Sequence, residues 1–141
     1  MMCVAIVYWS GTGNTEAMAK EVAKGVQENG TDSKLFLADE FHENMMEDYS
    51  AIAFGCPSMG EEELEETEFE PMFSRCKPYL KDRKIALFGS YGWGDGEWMR
   101  RWEDDARKDG ASLVCESVIC CEDPDEEACE ACRDLGRALA N

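Results

Sequence analysis

Five short apolar runs, each followed by a stretch of helical periodicity, constrain this chain more than any other feature. The runs are Val4 to Trp9, Lys34 to Ala38, Ala51 to Gly55, Lys84 to Gly89 and Ser112 to Cys120. They lack the in–out alternation of half-exposed strands, and flat hydrophobicity suits strands covered on both faces. Strands that alternate with helices imply an α/β sandwich around a parallel sheet. Residues 15–29 place Ala19, Val22, Ala23 and Val26 on one face and stop at Gly30, a helix-ending signal. Residues 66–80 align Phe69, Phe73, Cys76 and Leu80, with Pro71 tolerable only near a helix start. Residues 96–109 carry Trp98, Trp102 and Ala106 and close at Gly110. The last helix opens on Asp123-Pro124-Asp125-Glu126, with Arg133 and Arg137 further along. Residues 39–49, around Met45 and Met46, read as a short helix or an irregular turn. The length of 141 residues suits one domain, 1–141.

Composition narrows the partners. The chain has 31 Asp plus Glu against 14 Lys plus Arg, a formal net charge of −17. Nucleic acid and anionic lipid are poor partners for such a surface, because their phosphates are repelled. Basic protein faces are its natural complement, and the charge disfavours self-association, so a monomer is expected. No apolar stretch approaches the roughly 20 residues that span a bilayer, and the N-terminus lacks a basic segment followed by an apolar one. A cytoplasmic location is expected. Of the eight cysteines, Cys3, Cys56 and Cys115 sit in or at the end of apolar runs, where reduced cysteine behaves as a small buried hydrophobe. Free thiols are expected.

The chemistry concentrates in the loops after the first, third and fourth runs, where an open parallel sheet places its ligands. Ser10-Gly11-Thr12-Gly13-Asn14-Thr15 is a strand-to-helix turn without Lys or Arg. Its donors are backbone N–H groups, the hydroxyls of Ser10, Thr12 and Thr15, and the Asn14 amide, all at a helix N-terminus. That describes a monophosphate cradle, since the lysine of a triphosphate loop and the third glycine of a dinucleotide fingerprint are both missing. The other two loops are Cys56-Pro57-Ser58-Met59-Gly60-Glu61-Glu62 and Ser90-Tyr91-Gly92-Trp93-Gly94-Asp95-Gly96. Each sets a polarizable or aromatic side chain, Met59 or Trp93, beside glycine, so a flat ring fits between them. Phosphate cradle, aromatic clamp and glycine-rich backbone together are what flavin mononucleotide (FMN) needs.

Tyr8 to Glu16, Met59-Gly60-Glu61-Glu62 and Leu87 to Met99 closely resemble the corresponding motifs of short-chain flavodoxins of anaerobic bacteria. The resemblance covers essentially the whole chain. The fifth run reads as uninterrupted, whereas long-chain members carry an insertion there. The resemblance implies a doubly wound five-stranded parallel sheet of order 2-1-3-4-5, with helices on both faces and FMN at the switch point. It implies that Ser10, Thr12, Gly13, Asn14 and Thr15 hold the phosphate, and that Met59 and Trp93 flank the isoalloxazine. Gly60 and Glu61 would form a peptide that turns over on reduction to accept from N5–H, and the Glu62 side chain would accept from N3–H. The backbone of Ser90, Tyr91, Gly92 and Trp93, with Gly94 beside it, would line the pyrimidine edge and ribityl chain. Pro57 stands where some relatives have a phosphate-facing serine, with Ser58 next to it to compensate. The implied role is a low-potential one-electron carrier, not an enzyme, that cycles mainly between neutral semiquinone and hydroquinone. It would dock on basic faces of redox enzymes through Glu61, Glu62, Glu63, Glu65, Asp95 and Glu97.

Two other readings stay open on the sequence alone. An FMN-dependent NAD(P)H reductase shares the fold, although no second nucleotide motif and no spare basic residues near the site are visible. A metal-binding or redox-sensing module is prompted by Cys120, Cys121, Cys129 and Cys132, a C-x-x-C pair included. Against it, Ala128, Cys132, Leu135 and Leu139 trace a core-facing helical stripe with Cys129 beside it.

Overall fold

A computed structural model describes residues 3–141. Strands β1 (Cys3–Tyr8), β2 (Asp32–Leu37), β3 (Ala51–Gly55) and β4 (Lys84–Tyr91) run parallel in the order β2-β1-β3-β4. Beside β4 lie β5 (Ser112–Leu113) and β6 (Val118–Cys121), so the spatial order is the expected 2-1-3-4-5. The helices are α1 (Asn14–Glu28), α2 (Phe69–Cys76), α3 (Glu97–Lys108) and α4 (Glu126–Ala140). Residues 39–49 hold two 3₁₀ segments, Ala38–Glu40 and Glu43–Asp48.

The flat hydrophobicity of the runs that form β1, β3 and β4 has its reason in the two layers that sandwich the sheet, whereas β2, an edge strand, is not covered on both faces and leaves Leu35 38 % and Leu37 46 % exposed. Along β1, Val4, Ile6 and Tyr8 pack with α1 and α4, while Ala5 and Val7 pack with α2 and α3. A strand sends alternate side chains to opposite faces, so covering both faces removes the need for polar positions. Helix α1 is pressed onto α4 so closely that a Cβ at Gly25 or Gly136 would overlap the facing backbone. No described helix is long and apolar enough to cross a membrane.

Two further expectations need correction. The fifth run is not one strand. Pairing advances three residues on β4, from Ile85 to Phe88, but five on the opposite side, from Leu113 to Val118. The surplus bulges out over residues 114–117, where the Ser117 hydroxyl donates to Glu103 at 2.6 Å. Cys115 therefore lies in the bulge, only half-buried. This is a four-residue break and far shorter than a folded insertion. The helix expected over 66–80 starts only at Phe69 and gives way to a 3₁₀ turn at Lys77–Tyr79. At its start the Glu65 carboxylate draws in the N–H groups that an earlier turn would use. At its end Pro78 has no N–H to continue the α-helical ladder.

Candidate cofactor site

The three loops at the carboxyl ends of β1, β3 and β4 are hydrogen-bonded to one another. The Thr15 and Ser90 hydroxyls share a buried bond of 2.9 Å, which joins the first loop to the third. Ser58 N–H donates to the Ser90 carbonyl at 2.9 Å, and Glu97 N–H donates to Glu62 Oε1 at 3.1 Å, joining the second to the third. The structure thus brings Ser10 to Thr15, Pro57 to Glu62 and Ser90 to Gly94 to one edge of the sheet.

In the first loop Gly13, at φ 98°, turns the chain into α1. Ser10 Oγ accepts from the N–H groups of Gly13 (3.1 Å) and Glu16 (3.2 Å). Its own proton is left free to donate outward. The first N–H groups of a helix have no intrahelical acceptor, so those of Asn14 and Thr15 also point out of the helix start. Thr12 is exposed, Asn14 half-buried and Thr15 buried. Glu16, the acid of the first turn, leans toward Lys20 at 3.8 Å.

The second loop is a small closed frame. Met59 and Glu63 exchange two backbone hydrogen bonds of 2.8 Å, leaving Gly60, Glu61 and Glu62 as the loop tip. Gly60 (φ 52°) and Glu62 (φ 56°) are both left-handed, a conformation that carries a steric cost for the side chain of Glu62. Pro57 and Ser58 are half-buried at its base. Met59 is 37 % exposed, and Trp93 in the third loop is 61 % exposed, high values for such large apolar groups. A Cβ at Gly13, Gly60 or Gly92 would meet nothing within 4 Å, so open space lies against the bare backbone of all three loops. A groove of about 390 Å³, where Leu64, Phe73, Trp98 and Trp102 meet charged residues such as Glu70 and Arg101, opens instead behind the second loop, between α2 and α3.

Several acids do not stand where the sequence suggested. Glu65 is buried, 5 % exposed, and is no part of a docking rim. Its carboxylate accepts from the N–H groups of Thr67 (2.9 Å), Glu68 (2.8 Å) and Phe69 (2.9 Å) and from the Thr67 hydroxyl. Burial pushes its pKa up, but the Thr67 hydroxyl and these N–H groups outweigh that and hold it below the usual carboxylate range. Cations also stand near the site. Arg100 pairs with Asp95 at 2.9 Å and Arg101 with Glu97 at 3.5 Å. Among further contacts that periodicity does not show, Trp9 Nε1–H donates to Glu68 (2.9 Å) and Trp98 Nε1–H to the Cys56 carbonyl (3.2 Å). Both tie the loops to the helices behind them.

Cys56, Cys76 and Cys132 are buried packing groups, Cys3, Cys115, Cys120 and Cys129 are half-buried, and Cys121 is exposed. Ala128, Cys132, Leu135 and Leu139 do form a buried stripe of α4. Burial pushes the Cys120 thiol up to about 11 and that of Cys132 to about 12, so both stay protonated near neutrality. All eight are unpaired.

A doubly wound sheet whose three switch-point loops leave bare backbone, hydroxyls and a helix N-terminus facing outward defines a nucleotide-carrying α/β protein. The family model for flavodoxin matches residues 6–136. The flavodoxins of Megasphaera elsdenii and Clostridium beijerinckii are each 43% identical to this chain, covering 97% and 96% of it and 98% of their own lengths. The solution structure of the two-electron reduced Megasphaera elsdenii flavodoxin superimposes with a TM-score of 0.90 at 44% identity, covering 97% of this chain and 98% of that one. The chain belongs to the flavodoxin family. Flavodoxins use FMN and are electron-transfer proteins, not enzymes.

Proposed function

We propose that this flavodoxin is a low-potential one-electron carrier of the cytoplasm, built as one domain over 1–141, that cycles FMN mainly between neutral semiquinone and hydroquinone. The observation that carries the reading is the hydrogen-bonded convergence of the three loops. The residues fit the cofactor. The phosphate is received by the N–H groups of Asn14 and Thr15, the outward protons of Ser10 and Thr12, and the Asn14 amide, with Gly13 leaving room. Met59 and Trp93 stand exposed to take the ring between them, and Ser90, Tyr91, Gly92 and Trp93 offer backbone to its polar edge, with Gly94 beside them. Pro57 shapes the turn, and Ser58, held to the Ser90 carbonyl, supplies the nearby hydroxyl.

The bound flavin supplies the electron chemistry, and the chain sets its potentials. Gly60 and Glu61 form the tip of a frame whose ends are locked by the Met59–Glu63 pair, so one peptide can turn over without moving the loop base. With no side chain at position 60, that rotation avoids a cost of about 1–2 kcal/mol. The carbonyl of that peptide would then face the flavin N5 and accept a hydrogen bond from its N–H. Glu62 accepts from N3–H. The exposed acids Glu61, Glu63, Asp95 and Glu97 oppose further negative charge at the site and steer the edge toward basic faces of redox enzymes, although Arg100 and Arg101 offset Asp95 and Glu97. The chain acts as a monomer, away from nucleic acid and membranes.

Stepwise anaerobic reduction, followed by visible absorbance and FMN content, tests this. One FMN per chain passing through a long-lived blue one-electron state is expected, with less of that state in Gly60→Ala. A direct passage from oxidised to fully reduced flavin overturns the carrier cycle, and an unchanged one-electron state in Gly60→Ala overturns the role of Gly60.

A further inference from the structure

Helix α3 begins after a left-handed glycine, Gly96 at φ 92°, and no side chain of its own N-cap residue serves it. Its acceptor comes from 35 residues upstream: Glu62 Oε1 takes the Glu97 N–H at 3.1 Å. The carboxylate reaches that position by lying flat against Gly94, where an added Cβ would stand 2.6 Å from Glu62 Oε1 and 2.7 Å from its Cδ. Gly94 is itself left-handed, at φ 87°. Glu62 also holds the left-handed backbone that directs its side chain across the gap between the second and third loops. The strap therefore joins the loop carrying Met59 to the loop carrying Trp93.

We infer that Gly94 and the N-terminus of α3 are the seat that positions the Glu62 carboxylate for the flavin, with Oε1 held by Glu97 N–H and Oε2 left for N3–H. The inference rests on the proposed contact between Glu62 and N3–H. Gly94 is a positioning residue acting through Glu62. Its lack of a Cβ sets where the carboxylate lies, and the charged cap draws the two walls of the ring site to a fixed separation. A negatively charged side chain at a helix start is favoured by the helix dipole. Of the charged side chains nearby, Arg100 acts on this carboxylate and is itself paired with Asp95 at 2.9 Å, while the Glu97 side chain is paired with Arg101 at 3.5 Å.

The test compares Gly94→Ala, Glu62→Ala, their double variant and Gly30→Ala, a left-handed glycine outside the three loops where a Cβ meets open space. Each full-length protein is loaded with FMN. Two quantities are read: amide exchange at Glu97, and the dissociation constant for FMN and for N3-methyl-FMN, which lacks the N3 proton. Gly94→Ala and Glu62→Ala are each expected to speed exchange at Glu97 and weaken FMN about ten-fold. The double variant should do no worse than either single one, Gly30→Ala should leave exchange at Glu97 unchanged, and the weakening should vanish with N3-methyl-FMN. If Gly94→Ala leaves exchange and FMN affinity as in the parent while Glu62→Ala weakens FMN, the seat is wrong and the Glu62 contact stands. If Glu62→Ala itself leaves FMN affinity unchanged, the contact fails and the inference with it. Additive losses in the double variant overturn the coupling between the two residues.

Discussion

Helix α1 and the other three helices start at the same edge of the sheet under opposite caps, and the contrast shows where an anion can sit. Helix α2 starts under Glu65, α3 under Glu62, and α4 under Asp125, whose Oδ1 accepts from Ala128 N–H at 2.8 Å. Each of those N-termini is met by a carboxylate, which answers the positive end of the dipole and repels a second anion. Helix α1 alone among the described helices is closed by a neutral group, the Ser10 hydroxyl. Its first-turn acid, Glu16, is drawn toward Lys20. On a surface with a net charge of −17, one helix N-terminus is left open to a phosphate.

The sharpest way to break that contrast is to give α1 the cap of its neighbours. A carboxylate about 5 Å from a phosphate opposes it by roughly 3 kcal/mol at an effective dielectric of ~20. Ser10→Asp should therefore weaken FMN by about 100-fold or more while leaving riboflavin, which has no phosphate, nearly unaffected; equal losses for both would show that the turn had been distorted instead. Next in size is the buried cap of α2. Glu65→Ala leaves Phe69 N–H unpaired in the interior and should cost roughly 2–4 kcal/mol in denaturant unfolding, well above an exposed cap. A loss below about 1 kcal/mol would mean that Glu65 does not organise the loop.

The same carboxylate gives a pH signature. Its folded pKa lies below its unfolded one, because the hydrogen bonds outweigh burial. The unfolded state then binds the proton more readily, so this stability is complete above the ordinary carboxyl range and is lost as pH falls through the folded value. Glu65→Gln should be less stable than the parent at neutral pH, and the gap should narrow on acidification from about pH 5 downward. A gap independent of pH would deny the shift. The smallest effect is expected at the start of α4. Asp125→Ala should cost about 1 kcal/mol and leave FMN affinity unchanged, since the Asp125 carboxylate bonds to Ala128 N–H within its own helix start and not to the three loops.

Much of this was legible in the chain. The five apolar runs, the glycines that end α1 and α3, and the three motif loops all lie in local sequence, where periodicity and turn chemistry act over a few residues. Glu116 and Ser117, polar residues inside the fifth run, were the available sign that the strand would break. The caps were not legible. Glu65 stands in an acidic stretch whose members look alike in sequence, and only packing against Cys56, whose sulfur accepts Glu65 N–H at 3.3 Å, decides which one is buried. The link from Glu62 to Glu97 spans 35 residues, and the bonds from Thr15 to Ser90 and from Trp9 to Glu68 span 75 and 59.

The alternation of strand and helix, the acidic surface and the three loops proposed to meet a phosphate and a flat ring are all set by residues close together in the chain. Burial pattern and backbone chemistry are local, so they can be read residue by residue. Only the tertiary structure decided which carboxylates become helix caps, which are neutralised by Arg100 and Arg101, and which helix start stays open. Those outcomes depend on distances between loops that meet only after the sheet has formed, and a charge acts on whatever lies within a few ångströms of it, however far away in the chain.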